Sequence, residues 1–254
     1  MGQPVYVYGV SWSGAAPPRS QGLDGCEVRS VAEDGLAAFV SDAPPGEIET
    51  TRDRLLTHAR ILEEIADEET VLPMRFGVVA PSEEALREAL LAPRRKDFAK
   101  LLDRFTGLAE MDVRVHYEES TVLPEIARRS PAVRALQKAV RGRPRDATYY
   151  DRIRLGEAVA EAMRALAAHD AERIVAVLRP IALETRRDDQ SSDLLVLNAA
   201  FLLRREDVAT FRRAAGDLEG DGRMKVRVTG PMPPYSFVDM KLPPAPRRRR
   251  RWGS

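Results

Sequence analysis

"MDVRVHYE", residues 111–118, and "MKVRVTG", residues 224–230, decide how this chain divides. Each alternates Met, Val and Val on one side with Asp or Lys and Arg on the other, the period-two pattern of a strand. Each also follows a helical stretch that runs into glycine, "RRKDFAKLLDRFTG" before the first and "REDVATFRRAAGDLEGDG" before the second. Four matching positions in a stretch of five are too few to prove a duplication. They suggest two α+β units, 1–118 and 119–242, each ending on a strand that returns to its own sheet.

Working back from residue 111, the first unit opens on "PVYVYGVS", a run of β-formers with alternating sides. "SGAAPPRSQG" interrupts it. "CEVRSVAEDGLAAFVSD" then reads as a hairpin turning near Glu33, Asp34 and Gly35, so three short strands precede any helix. From Thr51 the period changes: Leu55, Ala59, Leu62 and Ala66 fall at helical spacing, Leu56, Ile61 and Ile65 widen the stripe, and Thr50 or Thr51 can cap the first turn. "TVLPMRFGVVAP" is extended, because Pro73 bars a helix interior and Gly77 permits a bulge. "PSEEALREALL" is a second helix capped by Ser82, and a third ends at Gly107.

Beyond residue 118 come "TVLPEIARR" and "SPAVRALQKAV", the latter with Ser130 as N-cap and Pro131 at the first helical position. A long helix spans roughly residues 146–168, and "AERIVAVLRP" continues it or forms a separate piece limited by Pro180. "IALETRRDD" and "SDLLVLNAAFLLR" read as strands meeting at a polar turn at 188–192, before the last helix and strand.

With 254 residues, 44% hydrophobic and 31% charged, the chain can bury a sizeable core and reads as a soluble globular protein. Its longest apolar run, "LLVLNAAFLL", is about half the ~20 residues of a membrane span, and no leader opens the chain. A cytoplasmic location follows as the expectation, and the single Cys26, which has no internal disulfide partner, fits it. The net charge of +1 conceals an asymmetry: 13 Lys/Arg against 21 Asp/Glu over 1–118, 22 against 18 over 119–246, and five arginines in the tail. An acidic first half is no nucleic-acid platform.

Signatures of chemistry are scarce. The chain has no G-x-G-x-x-G, P-loop or G-x-S-x-G, and "EGDGR" reads as a tight turn before a strand. His58, His116 and His169 stand singly without ligand spacing, and "EEIADEE" reads as a solvated helix face. No catalytic residue, cofactor or metal site is expected. The strands also lack the alternating aromatics of an RNA-binding sheet.

Two segments stand out. In "VLPMRFG", Arg75 and Phe76 lie between a proline and a glycine; Arg75 could clamp a partner's carboxylate, or the segment could be a bulged edge strand with an internal ion pair. "GPMPPYSF" could be a polyproline ligand, but it continues a strand and supplies Tyr235 and Phe237, which favours a clasp folding back onto the core.

With "VYVYGV" at 5–10, "THARILEEI" then "TVLPMRFGVVAPSEEAL" over 57–86, and "VTGPMPPYSFVD" at 228–239, the chain resembles the gas vesicle protein F/L family over nearly its whole length. The three motifs occur in the family's order and spacing. The resemblance implies a non-enzymatic accessory protein of gas vesicle assembly, with a ferredoxin-like first domain and an α+β second domain. It implies the small hydrophobic shell protein as partner, alongside other accessory proteins, and a cytoplasmic or vesicle location, including the gas-facing surface. No membrane or specific nucleic acid is expected as partner. Arg75 and Phe76 are then the expected partner contacts, with Tyr235 and Phe237 as structural clasp. "PPAPRRRRRWGS", 243–254, is outside the resemblance and reads as a disordered tail, solvated or tethering an acidic partner; a regulatory or nucleic-acid-associated role through it is the alternative function.

Overall fold

The computed structural model describes residues 2–188, 192–220 and 222–238; the tail at 243–254 and the middle of the 188–192 turn lie outside them. Grouped by contacts, Met1–Ala109 and the described residues from Met232 form one unit and Glu110–Pro231 the other. The sequence-based division placed residues 110–118 in the first unit and 232–238 in the second, so both segments group the other way.

The first unit is built on β1 (Val5–Trp12), buried along nearly its whole length. β2 (Arg29–Glu33) and β3 (Leu36–Asp42) form the expected hairpin. Its two central residues, Asp34 (φ 47°) and Gly35 (φ 84°), both lie in the left-handed region, the requirement of a two-residue turn matching strand twist. After α1 (Arg52–Glu68), two short strands β4 (Leu72–Pro73) and β5 (Val79–Ala80) pair antiparallel with β1. The order β2-β3-β1-β4, with β5 also on β1, is consistent with the ferredoxin-like sheet expected. α2 (Glu83–Leu86) leads through a π turn at Arg87–Leu91 towards α3 (Arg95–Phe105), which lies against β1 and buries Phe98, Leu102 and Phe105.

Helix starts follow their capping residues. Thr51 Oγ1 accepts the Arg54 N–H at 3.3 Å and Ser82 Oγ the Ala85 N–H at 3.1 Å. The buried stripe of α1 is His58, Ile61, Leu62, Ile65 and Ala66, whereas Leu55 and Leu56 are 42% and 57% exposed. The core-facing register therefore begins a turn later than the leucines suggested, with a histidine in its first position.

The second unit contains a four-stranded sheet, in the order β7 (Glu184–Arg187), β8 (Leu195–Arg204), β6 (Leu108–Tyr117), β9 (Met224–Met232). The strand at 111–118 thus belongs to the second sheet instead of closing the first, which corrects the expectation of separate return strands. The Tyr117 N–H bonds Leu194 O just before β8 and the Glu118 N–H bonds Arg223 O just before β9, so β6 runs antiparallel to both. The shared Met-x-Val-Arg-Val pattern has a local cause. The two strands are neighbours with the same alternation, Met111 and Met224 buried, Arg114 and Arg227 exposed.

Around this sheet lie α4 (Glu119–Arg129), α5 (Pro131–Val140), α6 (Tyr149–Leu178) and α7 (Val208–Gly216). Ser130 caps α5 through the Val133 N–H at 3.3 Å, with Pro131 in its first turn. "AERIVAVL" continues the long helix, which passes into a 3-10 turn at Arg179–Ile181 containing Pro180. α6 packs on β8, and Phe201 of β8 meets Phe211 of α7 with ring centroids 5.1 Å apart.

Candidate functional site

Along the β4–β5 edge, the Met74 N–H donates to Tyr8 O at 2.8 Å and the Val7 N–H to Val78 O at 2.9 Å. Tyr8 and Val7 are adjacent, but Met74 and Val78 are four apart, so Arg75, Phe76 and Gly77 loop out as a bulge. Gly77 turns the bulge at φ 88°, where a side chain would be strained.

Tyr6 and His58 hold this bulge from beneath. His58 Nε2 lies 3.1 Å from Met74 O, which only accepts, so Nε2 carries the proton. Burial pushes the His58 pKa down, favouring the neutral ring despite its bond to Met74 O, so Nδ1 is an acceptor. Tyr6 Oη, 2.8 Å away, donates to it, and the same oxygen accepts the Gly77 N–H at 3.2 Å. The chain Gly77 N–H to Tyr6, Tyr6 to His58, His58 to Met74 O fastens both ends of the bulge. Burial raises the Tyr6 pKa, so the phenol keeps the proton this chain needs.

Phe76 packs edge-on against this pair, its centroid 6.0 Å from Tyr6 and 5.8 Å from His58, and is half-buried. Arg75 beside it is exposed, and no carboxylate among the described residues pairs with it. The bulged edge is present, therefore, without the internal ion pair that accompanied it in the sequence reading. Two further contacts set the floor. Tyr8 Oη accepts the Leu23 N–H at 2.8 Å and lies 3.0 Å from Ser41 Oγ. A Cβ on Gly9 would stand 2.8 Å from both Leu62 Cδ2 and Val71 Cγ2 and 2.9 Å from Leu72 O, so only glycine lets α1 and β4 close over β1 here.

The second unit carries a different polar cluster. Asp170 of α6, 2% exposed, accepts from Tyr117 Oη at 2.6 Å and pairs with Arg223 at 2.9 Å. Arg223 also pairs with Glu125 of α4 at 3.1 Å, and Arg129 reaches the same carboxylate at 2.8 Å. Burial pushes Glu125 towards neutrality, but the two arginines more than offset it and hold its pKa below the usual carboxylate range. The charges are paired and hydrogen-bonded, tying α4, α6, β6 and the start of β9 together.

Phe237 is fully buried in the described segment that groups with the first unit, and Tyr235 is 37% exposed. Among the described residues no group of three or more His, Cys, Asp and Glu is placed to hold a metal ion, and no helix is long and apolar enough to cross a membrane.

The model of the gas vesicle synthesis protein GvpL/GvpF family matches residues 4–239. The chain belongs to this family. Gas vesicle protein F of Streptomyces sp. (strain CB03234) is 33% identical over 240 residues, covering 92% of this chain and 99% of the relative. Gas vesicle protein L2 of Halobacterium salinarum is 24% identical, covering 92% and 90% of the two chains. Crystal structures of GvpF from Anabaena sp. PCC7120 and Microcystis aeruginosa share the fold, with TM-scores of 0.79 and 0.71 at 23% and 22% identity. They are matched over 100% and 99% of their lengths and cover 95% and 93% of this chain.

Within this GvpL/GvpF chain, sequence reasoning found the bulge but missed Tyr6 and His58 beneath it, and missed Tyr117, Asp170 and Arg223. His58 had a usable signal, three residues before Ile61 and four before Leu62 in the buried stripe. Nothing local marks Asp170 as buried between Ala167 and Ala171.

Proposed function

We propose that this chain serves gas vesicle formation as a non-enzymatic binding protein for the hydrophobic shell subunit, keeping it from aggregating before it polymerises, and that the 75–77 bulge is the contact. Membership of the GvpL/GvpF family supports the role in gas vesicle formation. The observation that carries the contact is the bulge itself: an exposed Arg75 with no carboxylate partner among the described residues and a half-buried Phe76, presented at a sheet edge by a buried Tyr6–His58 support.

The edge is too short for open-ended strand addition, since β4 and β5 each have two residues. Recognition therefore falls to side chains. Arg75 offers a bidentate donor to a carboxylate or to carbonyl oxygens, and Phe76 an apolar face. The other expected feature, a clasp at Tyr235 and Phe237, is supported by complete burial of Phe237 and acts structurally. Other accessory proteins and a place in the finished vesicle, up to its gas-facing surface, are compatible with this role.

Co-expression with the major shell protein, with and without an affinity tag on this chain, tests the reading. Shell protein should co-purify in a tag-dependent way, and Arg75→Glu should reduce the recovery while melting stays as in the parent. Phe76→Leu, which keeps an apolar side chain against Tyr6, should reduce it less. Full recovery with a folded Arg75→Glu chain rules out the bulge as the contact. Tyr235→Ala should lower thermal stability; lost shell-protein recovery with unchanged melting would oppose the clasp.

A further inference from the structure

The α5–α6 hairpin is only thinly buried towards its connection. Every buried residue of the 30-residue α6 lies at Met163 or later. The preceding 14 residues, about 21 Å at 1.5 Å per residue, contain none. α5 fully buries only Val133 and packs on α6, whose Leu155 and Val159 lie partly buried against the core of the second unit.

The connection at its end is nevertheless built. Thr148, 1% exposed, donates to Pro144 O at 3.0 Å and accepts from Arg152 Nε at 3.1 Å. On this support sit Tyr149 (61% exposed), Tyr150 (78%) and Ile153 (44%). Exposed Arg141, Arg143, Arg145, Arg152 and Arg154 flank them along the chain, against Asp146 and Asp151. Arg154 lies 4.0 Å from Asp151; the other four arginines have no carboxylate partner among the described residues.

We propose that this tip docks an acidic protein segment that carries apolar side chains between its carboxylates. Exposed tyrosines flanked by arginines, four of which have no carboxylate partner among the described residues, have the composition of protein interface hot spots. The excess of arginine at the tip sets the partner's sign. Nucleic acid fits less well: Tyr149 and Tyr150 lie edge-to-face at 82°, leaving no pair of parallel platforms for successive bases, and Asp146 and Asp151 interrupt the basic surface a phosphate chain would follow. The surface is in the second unit and is independent of the Arg75 bulge.

The test is fluorescence anisotropy with a labelled peptide of roughly sixteen residues, Glu and Leu at helical spacing. The full chain is used, with arginines 247–251 replaced by serine so that they do not bind the probe. Saturable binding that weakens as NaCl rises is expected. Arg143→Glu/Arg145→Glu and Tyr149→Ala/Tyr150→Ala should each weaken it at least about tenfold with melting unchanged, because these side chains are exposed. Oligoglutamate of equal length should bind at least about tenfold more weakly, and Arg75→Glu should have no effect. No binding, or binding unchanged in either double variant, overturns the proposal. An oligo(dT) bound as tightly as the peptide, and lost in the same variants, reassigns the surface to nucleic acid.

Discussion

Replacing Tyr6 with Phe removes one oxygen and tests the support of the bulge directly. Tyr6 is completely buried, and its Oη serves both the Gly77 N–H and His58 Nδ1. Phenylalanine fills nearly the same volume, so no cavity arises, but two hydrogen bonds go and two partners lose theirs. Each net bond contributes about 0.5–1.5 kcal/mol, and each group left unsatisfied in a buried site costs ~1–3 kcal/mol. A loss of roughly 2–4 kcal/mol is expected, which lowers the melting temperature of a unit this size by roughly 10 °C or more. Denaturant unfolding followed with hydrogen exchange resolved at residues 74–78 measures both consequences. The Gly77 amide should exchange faster in Tyr6→Phe even where the sheet stays intact. A stability change below about 0.5 kcal/mol, together with unchanged exchange at Gly77, would refute the hydrogen-bond chain as the support of the bulge.

Further outcomes follow from the same geometry. Because burial depresses the folded-state pKa of His58 below its unfolded value of about 6.5, the unfolded chain binds a proton between the two that the folded chain does not. Stability is therefore fully present above about pH 6.5 and falls as pH drops through the window below it. Titrating unfolding free energy should show that loss, and His58→Gln should remove it. Gly9→Val should destabilise by about 1–3 kcal/mol in denaturant unfolding, since its Cβ meets Leu62, Val71 and Leu72 O at once. Arg223→Ala leaves Asp170 and Glu125 without their shared cation and should cost ~3–5 kcal/mol in the second unit, whereas Arg129→Ala, at the exposed end of the cluster, should cost below about 1 kcal/mol.

The sequence was legible wherever a local rule decides the backbone. The turn at Asp34 and Gly35, the caps at Thr51, Ser82 and Ser130, and the 3-10 end of α6 at Pro180 all rest on chemistry within a few residues. The bulge was legible as a possibility because Pro73 and Gly77 constrain the chain between them. Pairing across the chain was not. Period-two alternation in 111–118 fixes which side chains point inward, but it does not say which sheet they join, and β6 found its neighbours at β8 and β9. The support of the bulge was hidden for the same reason: Tyr6 lies 52 residues from His58 and 71 from Gly77, and each reads alone as an ordinary core or loop residue. Helical spacing likewise placed Leu55 in the stripe, although the buried face of α1 begins one turn later, at His58.

Hydrogen exchange of this chain, free and co-purified with the major shell protein, tests the proposed contact most directly. Slowed exchange at residues 74–78, with smaller or no change across β2 and the second unit, is the predicted result. Protection confined to other segments, with 74–78 exchanging as in the free chain, would contradict it.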